Sequence, residues 1–188
     1  MDAEKKLNRL ILLFDKLFGH CESTLLVKGG SDPLYVPKNP EVPGSKAEIH
    51  FAHGFFSSAL HEIAHWLIAG RHRRTLLDYG YWYKPDGRSL AEQKLFEAFE
   101  SRNQGLEWIL SVAANHPFHV SSDNLAGSCG GGKEFSELVR GNAVNFLDQG
   151  FSVRTSTMVD ALIVEFGERS SFDLHWQRVR KEGQLPAY

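Results

Sequence analysis

Cysteine is scarce in this chain, and long apolar runs are missing. The sequence has two cysteines, Cys21 and Cys129, which argues against a disulfide framework and predicts a reducing environment. Its apolar stretches, such as residues 66–69, fall far short of the roughly 18 residues needed to cross a bilayer. Asp2 and Glu4 precede the first apolar patch, unlike the start of a secretory signal. We therefore expect a cytoplasmic protein with no membrane partner.

An excess of positive charge is also missing. The 21 lysine and arginine residues face 23 aspartate and glutamate residues, which leaves a formal charge of −2. Without a summed positive field, the chain has no general attraction to a phosphate backbone, so we expect no direct nucleic-acid binding. Because 42% of the 188 residues are hydrophobic, we expect one globular domain over residues 1–188.

Helical and strand patterns both occur, which predicts an α+β fold. Apolar residues at steps of three and four predict a helix over residues 3–18. The pattern at residues 55–69 predicts a buried helix packed on a small sheet. Short strands are predicted at residues 24–28, 33–36, 48–52 and 79–83. Further helices are predicted from Leu90, where Ser89 and Glu92 form a capping-box pattern, and over residues 106–115, 134–147, 158–166 and 173–180.

The predicted buried helix contains an H-E-x-x-H motif formed by His61, Glu62 and His65. Residues four apart on a helix are neighbours, so both imidazoles can reach one metal ion. A chain of this composition would contain the motif by chance about 0.03 times. The motif therefore predicts a metal site rather than two core histidines.

A third protein ligand must come from elsewhere. The metzincin continuation requires Gly three and His six residues after His65, but Ile68 and Arg71 occupy these positions. His72 lies one residue too far along and is expected to be a cation at the helix end. A later helix offers Glu97 and Glu100 on one face, and either acid could complete the site.

Two histidines and one carboxylate are ambiguous between two metals. With zinc, Glu62 would act as the general base of a peptidase-like hydrolase, whereas Fe(II) would support O₂ chemistry. A non-catalytic module with a structural metal is the third alternative. Structural zinc sites are usually closed by four ligands, often cysteines, and both cysteines lie far from the motif in sequence.

Longer motifs surround the metal-ligand motif. Residues 51–56 read Phe-Ala-His-Gly-Phe-Phe, residues 81–88 read Tyr-Trp-Tyr-Lys-Pro-Asp-Gly-Arg, and residues 117–125 read Pro-Phe-His-Val-Ser-Ser-Asp-Asn-Leu. Together and in this order they resemble the bacterial elongation factor P hydroxylase family, over about residues 5–150. The resemblance implies O₂-dependent hydroxylation of the β-lysylated lysine of elongation factor P, a tRNA-shaped protein, at a 2-His-1-carboxylate site.

The resemblance also implies a ligand set. It makes His61 and His65 metal ligands together with a glutamate of the 96–100 segment, for which we favour Glu100 over Glu97. Fe(II) and O₂ are the implied cofactors, while zinc or another divalent metal stays open. Hydroxylation of a C–H bond needs no general base, so Glu62 would instead orient a ligand or a water molecule.

The implied substrate carries two ammonium groups on a long aliphatic stem. Such a group needs apolar or aromatic walls together with acids, because a buried unpaired ammonium is costly. His53 would line the cavity, Tyr81 and Trp82 would supply aromatic faces, and Asp86 and Asp123 would supply carboxylates.

Residues beside these candidates have further possible roles. Tyr79 is a candidate for the aromatic wall and Asp78 for a substrate-binding acid. We expect Arg71, Arg73 and Arg74 to form a solvated helix end, with contact to an acidic partner as the alternative.

Overall fold

The computed structural model describes residues 2–80, 89–121, 131–183 and 185. These residues form six α-helices and one three-stranded mixed sheet, which confirms the predicted α+β class. The chain divides into two compact units, Met1–Tyr83 and Lys84–Tyr188, which are described in turn. The single domain expected over residues 1–188 stays a prediction.

The first unit contains two helices and the sheet. Its elements are α1 (Ala3–Phe18), β1 (Thr24–Lys28), β2 (Leu34–Val36), β3 (Ala47–Phe51) and α2 (Phe56–Ile68). Strand β3 lies in the middle, parallel to β1 and antiparallel to β2. Every element lies within one residue of its predicted bounds.

One face of the sheet is buried. Along β3, Ala47, Ile49 and Phe51 are buried, whereas the alternate residues Glu48 and His50 are half-buried and joined by a 2.7 Å contact between Glu48 Oε2 and His50 Nε2. This period of two is what a strand with one buried face requires. Helix α1 contributes its own buried stripe to this core, formed by Leu7, Leu10, Phe14 and Phe18.

Trp66 is the largest of the buried side chains that hold helix α2 in this core. The Trp66 side chain is fully buried, and its ring lies 5.3 Å from that of Phe14 and 4.9 Å from that of Phe18, centroid to centroid. Arg74, beyond the end of α2, places its guanidinium 5.5 Å from the Trp66 ring. Packing of Trp66 against α1 therefore contributes to the orientation of α2 about its axis.

The described part of the first unit ends in a turn where the sequence predicts a strand. Asp78, Tyr79 and Gly80 have φ values of 46°, 56° and 69°, so the strand predicted at residues 79–83 is wrong for Tyr79 and Gly80. The Asp78 carboxylate accepts the Tyr35 N–H at 2.8 Å, and the Tyr79 ring stacks on the Tyr35 ring at 4.2 Å. These contacts to β2 offset the cost of a left-handed backbone at two non-glycine residues. Residues 81–83 lie outside the described residues.

The second unit is helical in the part of the chain that the structure describes. It contains α3 (Leu90–Ala113), α4 (Gly131–Gln149), α5 (Val153–Phe166) and α6 (Arg169–Glu182). The predicted capping box is present, since the Ser89 side chain accepts the Glu92 N–H and the Glu92 carboxylate accepts the Ser89 N–H. Helix α3 therefore begins at the predicted residue.

Helix α3 continues where the sequence predicts a break. The separate helix predicted over residues 106–115 is wrong, because α3 runs without interruption through Gly105. A Cβ atom at Gly105 would lie 2.9 Å from the Asn142 Cβ and 3.0 Å from the Ala143 backbone nitrogen. This glycine thus permits close packing of α3 against α4 rather than ending a helix.

The last two helices begin earlier than predicted. The Ser152 hydroxyl accepts the Thr155 N–H at 3.3 Å, which caps α5 several residues before the predicted start. Trp176 of α6 packs against Trp108 of α3 at a centroid distance of 4.9 Å. Among the described residues, no helix is both long enough and apolar enough to cross a membrane.

Candidate metal centre

The two histidines of the H-E-x-x-H motif lie side by side on α2. Buried apolar residues such as Leu60, Ile63 and Leu67 anchor the helix, while His61 and His65 are half-buried on another face. Their Nε2 atoms are 3.2 Å apart, and their ring planes are inclined by 76°. One turn of α-helix therefore brings two nitrogen donors to one point, as the motif predicts.

The environment of His65 favours the neutral imidazole. Burial lowers the pKa of His65 well below its ordinary value, and the neighbouring His61 lowers this pKa further. Both effects disfavour the charged form of the ring. A neutral imidazole is the form that binds a metal ion, so His65 is held in the protonation state that a ligand needs.

A glutamate oxygen lies close to the two nitrogens. One donor atom each of His61, His65 and Glu100 lies within 4.8 Å of the other two, and all three side chains are half-buried. The group contains Glu100, which the sequence analysis favours. Among the described residues, Glu97 is not part of it. The roles of these side chains as ligands stay a prediction.

The spacing of the three donors fits a single divalent ion. Nitrogen and oxygen ligands lie about 2.0–2.2 Å from zinc, so two donors to one ion are at most about 4.4 Å apart. Donors within 4.8 Å reach this spacing with small side-chain rotations. Three protein ligands leave coordination positions open, as catalytic zinc and non-haem Fe(II) sites both require.

Two further predicted site residues lie on or near α2. Glu62 is half-buried and directly follows His61. His53 is exposed in the connection between β3 and α2, where its φ is 56° and its N–H donates to the Gly30 carbonyl at 3.0 Å. The predicted roles of Glu62 and His53 stay predictions.

Tyr81, Trp82, Asp86 and Asp123 lie outside the described residues.

Asp78 and Tyr79 have structural contacts instead of the predicted substrate contacts. The Tyr79 side chain is 4% exposed and stacks on the Tyr35 ring. The Asp78 carboxylate accepts a hydrogen bond from the backbone N–H of Tyr35. The prediction that they face a substrate is therefore wrong for Tyr79, which belongs to the core, and it lacks support for Asp78. Aromatic residues near a strand are found in the core more often than in a site.

The arginine cluster after α2 is only partly a solvated helix end. Arg74 pairs with Glu22 at 2.7 Å, and its guanidinium also lies beside the Trp66 ring. Arg73 donates to the Tyr79 carbonyl at 3.2 Å, whereas the Arg71 side chain is exposed. The expectation of a solvated helix end is therefore wrong for Arg74, which is half-buried and ties the end of α2 to the rest of the first unit, whereas Arg71 and Arg73 are exposed as expected.

A largely buried polar stripe on α3 was not predicted from the sequence. Positions 100, 103, 104, 107 and 111 lie on one face of this helix, at steps of three and four. Four of them are buried polar residues, namely Asn103, Gln104, Glu107 and Ser111. The Gln104 side chain forms two hydrogen bonds with the backbone of Ser121, at 2.7 and 3.0 Å. The available signal was a glutamate at position 107 within an otherwise largely apolar run.

Two comparisons with known proteins both find elongation factor P hydroxylases. The sequence profile described as elongation factor P hydroxylase matches residues 13–175. The elongation factor P lysine hydroxylase of Haemophilus influenzae is 44% identical over 171 residues, which cover 91% of this chain and 95% of that protein.

Proposed function

The chain belongs to the elongation factor P hydroxylase family, and from that premise we propose that it hydroxylates the β-lysylated lysine of elongation factor P. The proposed metal is Fe(II), held by His61, His65 and Glu100, and the proposed oxidant is O₂. The observation that carries the proposal is this group of three donors, located on a chain whose relative is named as a hydroxylase of the same substrate protein.

The proposed reaction has a simple balance. One oxygen atom of O₂ enters a C–H bond of the modified lysine, and the other oxygen atom leaves as water. Two electrons and two protons must therefore come from a reductant outside this chain. When bound, Fe(II) would supply the redox chemistry that lets O₂ react with a C–H bond.

The residues of the chain would hold the metal and control its surroundings. His65 would present a neutral nitrogen because burial lowers its pKa, and Glu100 would bring a negative charge that partly offsets the charge of the ion. Glu62 would orient a ligand or a water molecule from the same helix. The buried apolar residues of α2, which include Ile63 and Ala64, would limit the access of water from the core side.

A zinc-dependent hydrolase is the second candidate, and the H-E-x-x-H motif is the observation that favours it. In that function Glu62 would remove a proton from a water molecule for attack on a peptide bond. The two functions differ in the metal and in the need for O₂.

The proposal also includes the cellular setting. Elongation factor P acts in translation, so we place the enzyme in the cytoplasm with the β-lysylated factor as its protein partner. No membrane and no direct nucleic-acid contact form part of this proposal.

The test is a hydroxylation assay with isotopically labelled O₂. Protein purified without oxygen is loaded with Fe(II) and incubated with β-lysylated elongation factor P and a chemical reductant, and the factor is then analysed by mass spectrometry. We expect one labelled oxygen atom on the modified lysine, and none with the His61→Ala or His65→Ala variant. Peptide cleavage by zinc-loaded protein, without incorporation of oxygen, would establish the hydrolase instead.

A further inference from the structure

Helix α3 carries a second acid in the face that contains Glu100. The Glu107 side chain is 8% exposed, although its neighbours in sequence are largely apolar. An ionised carboxylate leaves water at a high cost unless donors or an opposite charge surround it. Glu107 has at least one interaction within the chain. A carboxylate has about four acceptor positions, so it can accept a further donor from a ligand.

The geometry of α3 relates this acid to the proposed metal ligand. Residues seven apart differ by about 20° around the helix axis and by about 10 Å along it. Asn103 lies between them on the same face and is 1% exposed. A polar stripe, half-buried at Glu100 and buried at Asn103 and Glu107, therefore follows this face of α3.

The chemistry of the proposed substrate matches this arrangement. A β-lysylated lysine is a long, slender chain whose two ammonium groups lie on the β-lysyl part, so the aliphatic carbons of the lysine itself are separated from them by the amide bond. If one carbon lies at the metal, an ammonium group must enter the protein at some distance from it. A buried ammonium group requires a carboxylate or another hydrogen-bond acceptor beside it, because its positive charge would otherwise be left without compensation.

We propose that Glu107 is a specificity-determining residue that receives an ammonium group of the substrate while the reacting carbon lies at the group formed by His61, His65 and Glu100. This inference rests on the proposed function and adds the residue that selects a cationic substrate. The proton remains on the ammonium group, so no covalent step is involved.

The first test compares charged and neutral forms of the substrate. The Glu107→Gln variant retains the size of the side chain and removes its charge. We expect kcat/KM for β-lysylated elongation factor P to fall about thirtyfold, as removal of one partner of a buried ion pair predicts. The loss should appear mainly in KM, with unchanged Fe(II) content. A factor with acetylated β-lysyl amines should be a poor substrate for the wild type and should react equally with the wild type and the variant.

Three controls separate specificity from a structural role. Glu107→Asp retains the charge and should recover part of the selectivity. Glu137→Gln changes an exposed acid on α4 and should behave like the wild type. A general structural role for Glu107 would lower the stability of the variant and reduce its kcat/KM equally for both forms of the substrate, and this result would overturn the inference.

A binding measurement separates this inference from the proposed function. Calorimetry with metal-free protein measures the affinity for the β-lysylated factor without any reaction. We expect Glu107→Gln to weaken this affinity about thirtyfold. If the wild type hydroxylates the factor but the variant discriminates as well as the wild type, only the role of Glu107 fails. If the wild type neither binds nor hydroxylates the factor, the proposed function fails, and the inference fails with it.

Discussion

Replacement of Trp66 by alanine tests whether packing against α1 positions the helix that carries His61 and His65. The Trp66 side chain is fully buried and contacts the rings of Phe14 and Phe18. Truncating a buried tryptophan to alanine costs about 3–5 kcal/mol, because hydrophobic burial is lost and a cavity forms. Globular domains have a total stability of about 5–15 kcal/mol, so this loss would be a large fraction of the total.

The assay is urea unfolding at 25 °C, monitored by circular dichroism, combined with Fe(II) titration of the folded variant. We expect Trp66→Ala to lose about 3–5 kcal/mol and also to bind Fe(II) more weakly, since the two imidazoles depend on the position of α2. Trp66→Phe retains a ring in the core and should recover much of both properties. Leu12→Ala, which changes a side chain that is 69% exposed on α1, should cost less than about 0.5 kcal/mol. A loss below about 1 kcal/mol in Trp66→Ala would refute the reasoning.

Three further changes test other parts of the structure, each by urea unfolding. Gly105→Ala should destabilise the protein by about 1 kcal/mol, because overpacking against α4 exceeds the gain in helix propensity. In the control Gly141→Ala, the added Cβ has no atom within 4 Å, so this variant should be about 0.8 kcal/mol more stable than the wild type. Asp78→Ala should cost about 1–3 kcal/mol by removing the acceptor of the Tyr35 N–H, and Asp78→Asn, which retains an acceptor and tolerates positive φ, should cost less. Burial lowers the pKa of His175, so the unfolded chain takes up a proton at a higher pH than the folded protein does. Stability should therefore fall as the pH decreases below about 6.5, and it should fall less steeply in His175→Gln; equal slopes would contradict this account.

The elements that the sequence predicted well are those specified by local patterns. The apolar stripe of α1 and the buried run of α2 have periods that only a helix satisfies, so their bounds agree with the structure within one residue. The capping box of Ser89 and Glu92 defines a helix start through hydrogen bonds between residues three apart. The H-E-x-x-H motif also depends only on helical spacing, which explains why the pairing of His61 and His65 could be predicted.

Features that depend on distant contacts could not be predicted in the same way. The pattern predicted a separate helix over residues 106–115, whereas α3 continues through Gly105, whose role is set by the approach of α4, which no local pattern reveals. The aromatic residues near Tyr79 indicated a strand, whereas the contact with Tyr35 of β2 stabilises a left-handed turn. Tertiary packing overrides local propensity in both places.

In the candidate site too, local patterns were predictable from the sequence and contacts between distant residues were not. The sequence left Glu97 and Glu100 as candidates for the third ligand, because both acids lie on the same helix one turn apart. Among the described residues, the fold groups Glu100, and not Glu97, with His61 and His65. The sequence placed its candidate substrate-binding acids in turns and loops, so it did not indicate Glu107, which lies within a helix. Its burial becomes visible only when all of α3 is seen as one helix.

The measurement that tests the central claim most directly is Fe(II) binding to matched glutamate variants under anaerobic conditions. The claim is that His61, His65 and Glu100 hold one metal ion. Calorimetric titration of the wild type should show one Fe(II) per chain, Glu100→Gln should lose most of this affinity, and Glu97→Gln should bind like the wild type. Wild-type affinity in Glu100→Gln, or a loss confined to Glu97→Gln, would contradict the account.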